Sequence, residues 1–435
     1  MHEKCIIFVI YEKLCINEVI DIVYLKSLQI ISIHIKYLGY KQIYSNGEIL
    51  MEVYFDNSAT TKPNENVVEI MVKALTTYYG NPSSLHHMGV EVEKLMKNSR
   101  KQVARALGTH EQEIIFTSGG TESNNLAILG SIEANKRKGN QIITTKIEHP
   151  SVLNVFKNLE LRGLNVKYLD VDKYGRLDME QLTSSVSEET ILISVMHVNN
   201  EVGTIQQVEE IGTFLKKNKL SSVFHVDAVQ SFGKISFTPS KIGADLLSVS
   251  GHKIHGPKGI GALYLKKGLK MQTTIFGGNQ ETGIRSGTEN IPGILGLGAA
   301  AEGIYHDLDQ QIHKMMTLKG KFIEAIRNEI QDIRLNSPEG EEGSPHIVNI
   351  SFLGIRGEVL LHLLEQDHIY VSTGSACSSK KEAKSHVLKA MGLKDTEIEG
   401  AVRFSFTYQN TIEEVDFVVE KLKKHVKELR KIIKR

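Results

Sequence analysis

Residues 191–226 read ILISVMHVNNEVGTIQQVEEIGTFLKKNKLSSVFHV, and this stretch decides the fold class. Two β-branched apolar runs, Ile191–His197 and Val223–Val226, flank Val208–Lys217, in which apolar residues recur at helical spacing. Strand, helix, strand is the grammar of a parallel pair joined by a crossover helix. Working outward, the same alternation continues on both sides. Strands are predicted at Gln141–Thr145 and Val166–Leu169 before it, and at Leu246–Val249 and Gly261–Leu265 after it. Helical patterns cover Glu122–Lys138 and Val152–Arg162. The chain therefore predicts an α/β fold with a mainly parallel sheet flanked by helices on both faces. Such sheets collect ligands at the carboxyl ends of their strands.

Beyond this block a helical pattern over Ile294–Ile330 leads into Pro345–Arg435, where a strand (Ile347–Phe352), a helix (Glu358–Gln366) and a further strand predict a smaller α+β unit. The last segment is an amphipathic helix. Thr411 and Glu414 form a capping box, and Val415, Val418, Leu422, Val426, Leu429 and Ile433 recur at helical spacing. Its end carries Lys427, Arg430, Lys431, Lys434 and Arg435, read as a solvated face that complements the helix dipole in preference to a docking site.

Composition narrows the function classes. With 435 residues, 41% hydrophobic and 24% charged, the chain has the make-up of an ordinary soluble globular protein, long enough for a large domain and a smaller one. A net charge of +1 argues against nucleic acid or an anionic membrane as a partner. No apolar run is long enough to span a bilayer. Three cysteines, Cys5, Cys15 and Cys377, make no disulfide framework and point to a reducing, cytoplasmic setting. Residues 1–50 contain no Arg and no signal-type cleavage pattern, and strand-like patterning begins only after Met51. Met51 is accordingly expected to be the natural start, with residues 1–50 a non-native or leader extension.

Four local motifs carry chemistry. Ser248-Val-Ser-Gly-His-Lys253 ends a buried strand on a lysine that can be desolvated, as a Schiff-base lysine requires. Surface lysines also follow strands, so the tetrad alone does not decide. Phe116-Thr-Ser-Gly-Gly-Thr121 opens the Glu122–Lys138 helix and offers free N–H groups at a positive dipole end. This suits a phosphate, and equally an ordinary glycine turn capped by Thr121. His225-Val-Asp-Ala-Val-Gln230 puts Asp227 at a strand end, where it can pair with a protonated pyridine nitrogen or cap a helix. Gln230, three residues on, can hydrogen-bond a ring oxygen. Ile147-Glu-His149-Pro closes another strand, and a histidine there can lie on an aromatic cofactor, exchange protons, or be purely structural.

Taken in order with His197-Val-Asn-Asn-Glu201 and Arg285-Ser-Gly-Thr288, these motifs resemble the NifS/IscS-type cysteine desulfurases of the class V aminotransferase family. The resemblance runs from Tyr54-Phe-Asp-Asn-Ser-Ala-Thr-Thr61 to the C-terminal helix. It implies the fold type I architecture: an N-terminal segment (51–65) packed with the small domain, a large domain (66–310) that binds pyridoxal 5'-phosphate, and a small C-terminal domain (311–435). By the same resemblance Lys253 carries the cofactor, Asp227 holds its ring nitrogen, Gln230 its phenolic oxygen, and His149 stacks on the ring beside Asn200. Gly120, Thr121, Ser250 and His252 would bind the phosphate, with Thr288 reaching in from the second subunit of a homodimer. Arg403 matches the family arginine that grips the substrate carboxylate; the family usually continues with Gly and Arg, where this chain has Thr407 and Tyr408. No metal site is expected.

The last element is Ser372-Thr-Gly-Ser-Ala-Cys377-Ser-Ser. Small polar neighbours fit a buried structural cysteine poorly and fit a reactive thiol well. The expected activity is removal of sulfur from L-cysteine, leaving L-alanine and a persulfide on Cys377. An acceptor protein, either an iron–sulfur scaffold or a tRNA-thiolating enzyme, would receive the sulfur. The rival enzyme readings are a selenocysteine lyase and another class V aminotransferase-like enzyme, and the rival of a different class is a non-catalytic scaffold.

Overall fold

The structure is a computed structural model that describes residues 42–45, 48–373 and 384–433. Cys377 and the greater part of the 1–50 extension, with Cys5 and Cys15, lie outside the described residues. The chain divides into two compact units, Met1–Val53 and Tyr54–Arg435. In the first, β1 (Gln42–Ser45) and β2 (Glu48–Met51) form an antiparallel hairpin. A short strand, β3 (Val53–Tyr54), follows.

The second unit is built on a seven-stranded sheet. Its strands are β4 (Ile114–Thr117), β5 (Gln141–Thr145), β6 (Asn165–Leu169), β7 (Thr190–Met196), β8 (Val223–Asp227), β9 (Leu246–Ser250) and β10 (Gly261–Leu265), in the order β4-β10-β9-β8-β7-β5-β6. β7, β8 and β9 are buried along their whole length, which is why they lack an alternation of apolar and exposed polar residues. Neighbours from β6 to β9 pair in parallel, whereas β10 runs antiparallel to both β9 and β4. The cause is the link between β9 and β10. Residues 251–260 contain only a single 3-10 turn, Gly251–Lys253, and a parallel return needs a longer crossover. With β10 inverted, β4 again points the same way as the rest, so the carboxyl ends of six strands, β4 to β9, share one edge.

Helices Gly120–Asn135 and Pro150–Leu161 cover one face of the sheet, with Leu126, Ile128, Phe156 and Leu159 packed on Ile142, Leu192 and Leu246. Val208–Lys217 lies on the other, where Ile211 and Leu215 join Phe224, Val226 and Leu247. One continuous helix, Ile291–Glu329, crosses position 310 without a break and leads to the second sheet. That sheet is antiparallel: β11 (Ile333–Leu335), β12 (Ile347–Phe352) and β14 (Ala401–Ser405), with β13 (Ile369–Tyr370) apart from it. Residues 55–58 are stitched into this region. The Phe55 N–H donates to Tyr370 O (2.8 Å), the Ser405 N–H to Phe55 O (2.7 Å), and the Ser58 N–H to Ser405 Oγ (2.8 Å).

The terminal helix spans Ile412–Ile433, and both bonds of its capping box are made, between Thr411 and Glu414. Val415, Val418, Leu422 and Val426 are buried. Its basic end departs from a purely solvated face. Arg430 donates to the carbonyls of Gln331 and Asp332 (both 2.8 Å) and of Leu353 (3.1 Å), tying the helix to the β11 and β12 strands. Among the described residues, no helix is long and apolar enough to cross a membrane.

Candidate active site

A cleft of about 470 Å³ opens at the carboxyl edge of the large sheet. It is lined by Gly120, Thr121, His149, Asn200, Asp227, Gln230, Ser250 and His252, and also by Asn124, Ser151, Met196, Val198 and Val229. Its polar residues follow or end five different strands: β4 supplies the 119–121 turn, β5 His149, β7 Asn200, β8 Asp227 and β9 Ser250 with His252. Residues more than a hundred positions apart thus converge where such a sheet places its ligand.

The turn after β4 is a cradle. Gly119 has φ +150°, a conformation that favours glycine, and a Cβ on Gly120 would lie 2.7 Å from Val229 Cγ2. The backbone can therefore approach a ligand closely. The helix beginning at Gly120 directs free N–H groups to this end, which suits an anion. His252 sits beside it, its pKa pushed down to about 4 by burial and by Lys253 and Lys258, so it acts as a neutral hydrogen-bonding group.

Asp227 forms the floor. It is 5% exposed; Oδ1 accepts from the Val229 N–H (3.0 Å) and Oδ2 from Asn124 Nδ2 (2.7 Å). Among the described residues no cation makes an ion pair with it within 4 Å. A buried carboxylate with only neutral donors suits a cationic ring nitrogen in the cleft. Asn124 spends both amide protons, since Nδ2 also lies 2.9 Å from Ser151 Oγ, and its Oδ1 has no partner. Ser151 Oγ is 2.8 Å from His149 Nδ1, and the Ser151 N–H points to the same nitrogen at 3.2 Å. Burial foremost, then Lys253 and His386, holds the His149 pKa below its ordinary value against the pull of Asp227.

Gln230 donates from Nε2 to Ser58 O (2.9 Å), and its Oε1 faces His346 Nε2 at 3.4 Å. One amide proton remains for the cleft. Lys253 Nζ donates to Ser58 O and to Ala59 O (2.8 Å), at the mouth formed by the N-terminal segment. Arg403 is 6% exposed. It donates from Nη1 to Asn200 O and from Nη2 to Asp56 Oδ1, both at 2.8 Å, while its buried Nε has no hydrogen-bond partner among the described residues. Thr288 is exposed and does not line the cleft.

Together the cradle, the Asp227 carboxylate, which has no ion pair among the described residues, the Gln230 amide and the Lys253 amine fit pyridoxal phosphate by chemistry: an anionic end, a basic ring nitrogen, a ring oxygen and a carbonyl carbon. Asn124 and Ser151 were not picked out from the sequence. Both are polar residues on the buried faces of helices, and their partners are remote in the chain. Two further buried acids flank the cleft. Glu148 is fully buried, with Oε1 accepting from Thr145 Oγ1 (2.7 Å) and the Met196 N–H (3.0 Å), and burial pushes its pKa up to about 8. Glu201, raised to about 7 by burial, accepts from the Ser385 hydroxyl. Thr407 and Tyr408 are structural: the Tyr408 hydroxyl bonds Asn64 (3.0 Å) and its ring meets His255 edge-on. Among the described residues, no group of three or more His, Cys, Asp or Glu is arranged to hold a metal.

Comparison with known proteins identifies the family and the fold. Residues 53–418 match the aminotransferase class-V family. A cysteine desulfurase IscS from Clostridium botulinum is 44% identical over 382 residues, covering 88% of this chain and 96% of that protein. A solved NifS-like protein superposes with a TM-score of 0.82 at 41% identity, over 87% of this chain and all of that one. The structure of SspA in complex with cysteine superposes with a TM-score of 0.71 at 34% identity, over 81% and 98%.

Proposed function

Because this chain belongs to the aminotransferase class-V family and is a pyridoxal-phosphate-dependent cysteine desulfurase, we propose that the residues of the cleft divide its reaction as follows. Bound pyridoxal phosphate supplies a carbonyl carbon for the substrate amine and a ring that accepts negative charge from the substrate Cα. Gly120, Thr121, Ser250 and His252 hold its phosphate, Asp227 keeps its ring nitrogen protonated, Gln230 donates to its ring oxygen, and His149 and Asn200 cover the ring. Lys253 Nζ anchors the cofactor, then takes the α-proton of cysteine and returns a proton toward alanine. Arg403 binds the substrate carboxylate through N–H groups that Asn200 and Asp56 leave free.

Cys377, as thiolate, attacks the substrate sulfur. The sulfur–sulfur bond forms as the carbon–sulfur bond breaks, the electron pair stays with the carbon, and protonation there completes alanine. Cysteine and the Cys377 thiol thus become alanine and a Cys377 persulfide. An acceptor protein of iron–sulfur cluster assembly or tRNA thiolation then takes the sulfur in the cytoplasm. The working unit is a homodimer, with Thr288 of the partner subunit completing the phosphate site; its exposure in the single chain supports this. The observation that carries the reading is the Asp227 carboxylate, buried in the cleft without a cationic partner among the described residues.

The decisive test is mass spectrometry of the chain begun at Met51, in which Cys377 is the sole thiol. Incubation with cysteine is expected to add one sulfur to the Cys377 peptide, removable by a reductant. Cys377→Ser is expected to retain the cofactor's near-visible band and to lose sulfur release. Alanine accumulating while that peptide stays unmodified would overturn the proposal.

A further inference from the structure

We propose that Ser151 is a positioning residue whose hydroxyl, aimed by Asn124, fixes His149 with Nδ1 as acceptor and its remaining N–H, on Nε2, available to the cleft. The inference rests on the reading of His149 as a residue of the cofactor pocket. The direction of every bond in the chain can be assigned. Asp227 Oδ2 only accepts, so the Asn124 atom 2.7 Å away is the amide nitrogen; the reverse amide would set two acceptors against each other. That nitrogen gives its second proton to Ser151 Oγ at 2.9 Å. The Ser151 hydroxyl proton is then free to donate, and His149 Nδ1 stands 2.8 Å off. The Ser151 backbone N–H converges on the same nitrogen at 3.2 Å, and an N–H cannot accept. Nδ1 is therefore bare, and a neutral ring keeps its only proton on Nε2.

Burial makes the arrangement strict. Asn124 is 1% exposed, Ser151 8% and Asp227 5%, so little water competes for these bonds. The charged and titratable groups that face His149 are Asp227, which favours the imidazolium, and Lys253 and His386, which oppose it. A hydroxyl donor on Nδ1 joins the second group, because that bond exists only while Nδ1 is unprotonated. The Asp227–Asn124–Ser151–His149 chain thus couples the residue proposed to hold the ring nitrogen to the residue proposed to cover the ring.

The test uses imidazole nitrogen NMR on the full chain without cofactor and pH profiles on the loaded enzyme. In the unsubstituted protein, His149 is expected to show a bare Nδ1 and a protonated Nε2. Ser151→Ala should raise the His149 titration midpoint by about one pH unit, the size of one lost hydrogen bond to a buried group. Ser151→Thr, which keeps the hydroxyl, should restore it. In the loaded enzyme the acid limb of kcat/KM should move up by a similar amount in Ser151→Ala, so activity falls more at pH 6 than at pH 8. A protonated Nδ1 in the unsubstituted chain overturns the inference, as does a midpoint indifferent to Ser151→Ala, or a Ser151→Thr shift equal to that of Ser151→Ala. Absence of a near-visible band on adding pyridoxal phosphate would instead overturn the reading of the pocket itself, and the cofactor-free NMR separates the two failures.

Discussion

Replacing Arg403 by lysine keeps the charge and removes the fork, which isolates what the guanidinium does. Of its five N–H groups, one on Nη1 is held by Asn200 O and one on Nη2 by Asp56 Oδ1. Those two bonds lock the plane, and the N–H on Nε has no partner among the described residues. A carboxylate arriving at a locked plane meets two parallel donors, whereas a lysine ammonium offers one contact from a flexible stem. One charge-assisted hydrogen bond is worth about 1.5–3 kcal/mol, so KM for cysteine should rise roughly 10- to 100-fold in Arg403→Lys. The loss falls on binding, so kcat should change much less. Steady-state alanine formation from cysteine measures it, with cofactor absorbance and thermal melting as checks on the pocket. Cysteamine, which lacks the carboxylate, supplies the internal control: its turnover should be nearly indifferent to the substitution. A cysteine KM within about twofold of the parent, or a fall in kcat at constant KM, would refute the assignment of Arg403 to the carboxylate.

Two further perturbations address the electrostatics. Asp227→Asn should leave the chain folded, because the unpartnered Asn124 Oδ1 can turn to accept the new amide; turnover should drop by about 10²-fold or more, and near-parental turnover would mean that another residue holds the ring nitrogen. Glu148 supplies a pH signature of stability. Its pKa in the folded chain, about 8, lies above its unfolded value, so the folded state holds the extra proton and stability declines as pH rises from about 5 to about 8. Glu148→Gln should flatten this decline, gaining up to a few kcal/mol at pH 8.5 and little at pH 5. Urea titrations in which parent and variant lose the same unfolding free energy between pH 5 and pH 8.5 would contradict it.

What could be read from the sequence was whatever repeats locally. The strands Gln141–Thr145 and Gly261–Leu265 and the helix Val208–Lys217 have the bounds that periodicity gave them. The direction of Gly261–Leu265 was not readable, because a strand's composition does not depend on which way it runs. It is set by the helix-poor link before it. β4, four residues of Ile, Phe and Thr, is too short for a periodic signal. Helix Gly120–Asn135 buries Ser123, Asn124 and Ser131 along with Leu126 and Ile128, so it lacks a clean apolar stripe. In the site, strand-end residues such as Asp227, His149 and Lys253 stood out by position. Asn124 and Ser151 did not, since a polar residue inside a helix resembles any solvent-facing one until its partner across the fold is known. The same holds for Glu148 and Glu201, two acids that only burial distinguishes.

The link between Ser372 and Arg403 has a consequence for sulfur delivery. The Ser372 N–H donates to Arg403 O at 3.1 Å, and the Arg403 N–H to Ser372 O at 2.6 Å. The side chain proposed to seat the substrate and the point from which the chain departs toward Cys377 therefore share one hinge pin. A shift of the backbone at either residue is therefore passed to the other through these two main-chain bonds. Covalent geometry sets the tether's length, because five residues of chain extend at most roughly 17 Å. If Cys377 carries the sulfur as proposed, its Cα stays within that distance of Ser372 wherever the transfer takes place. On that proposal, an acceptor has to bring its own reactive group to within that reach of Ser372, extended only by the cysteine side chain.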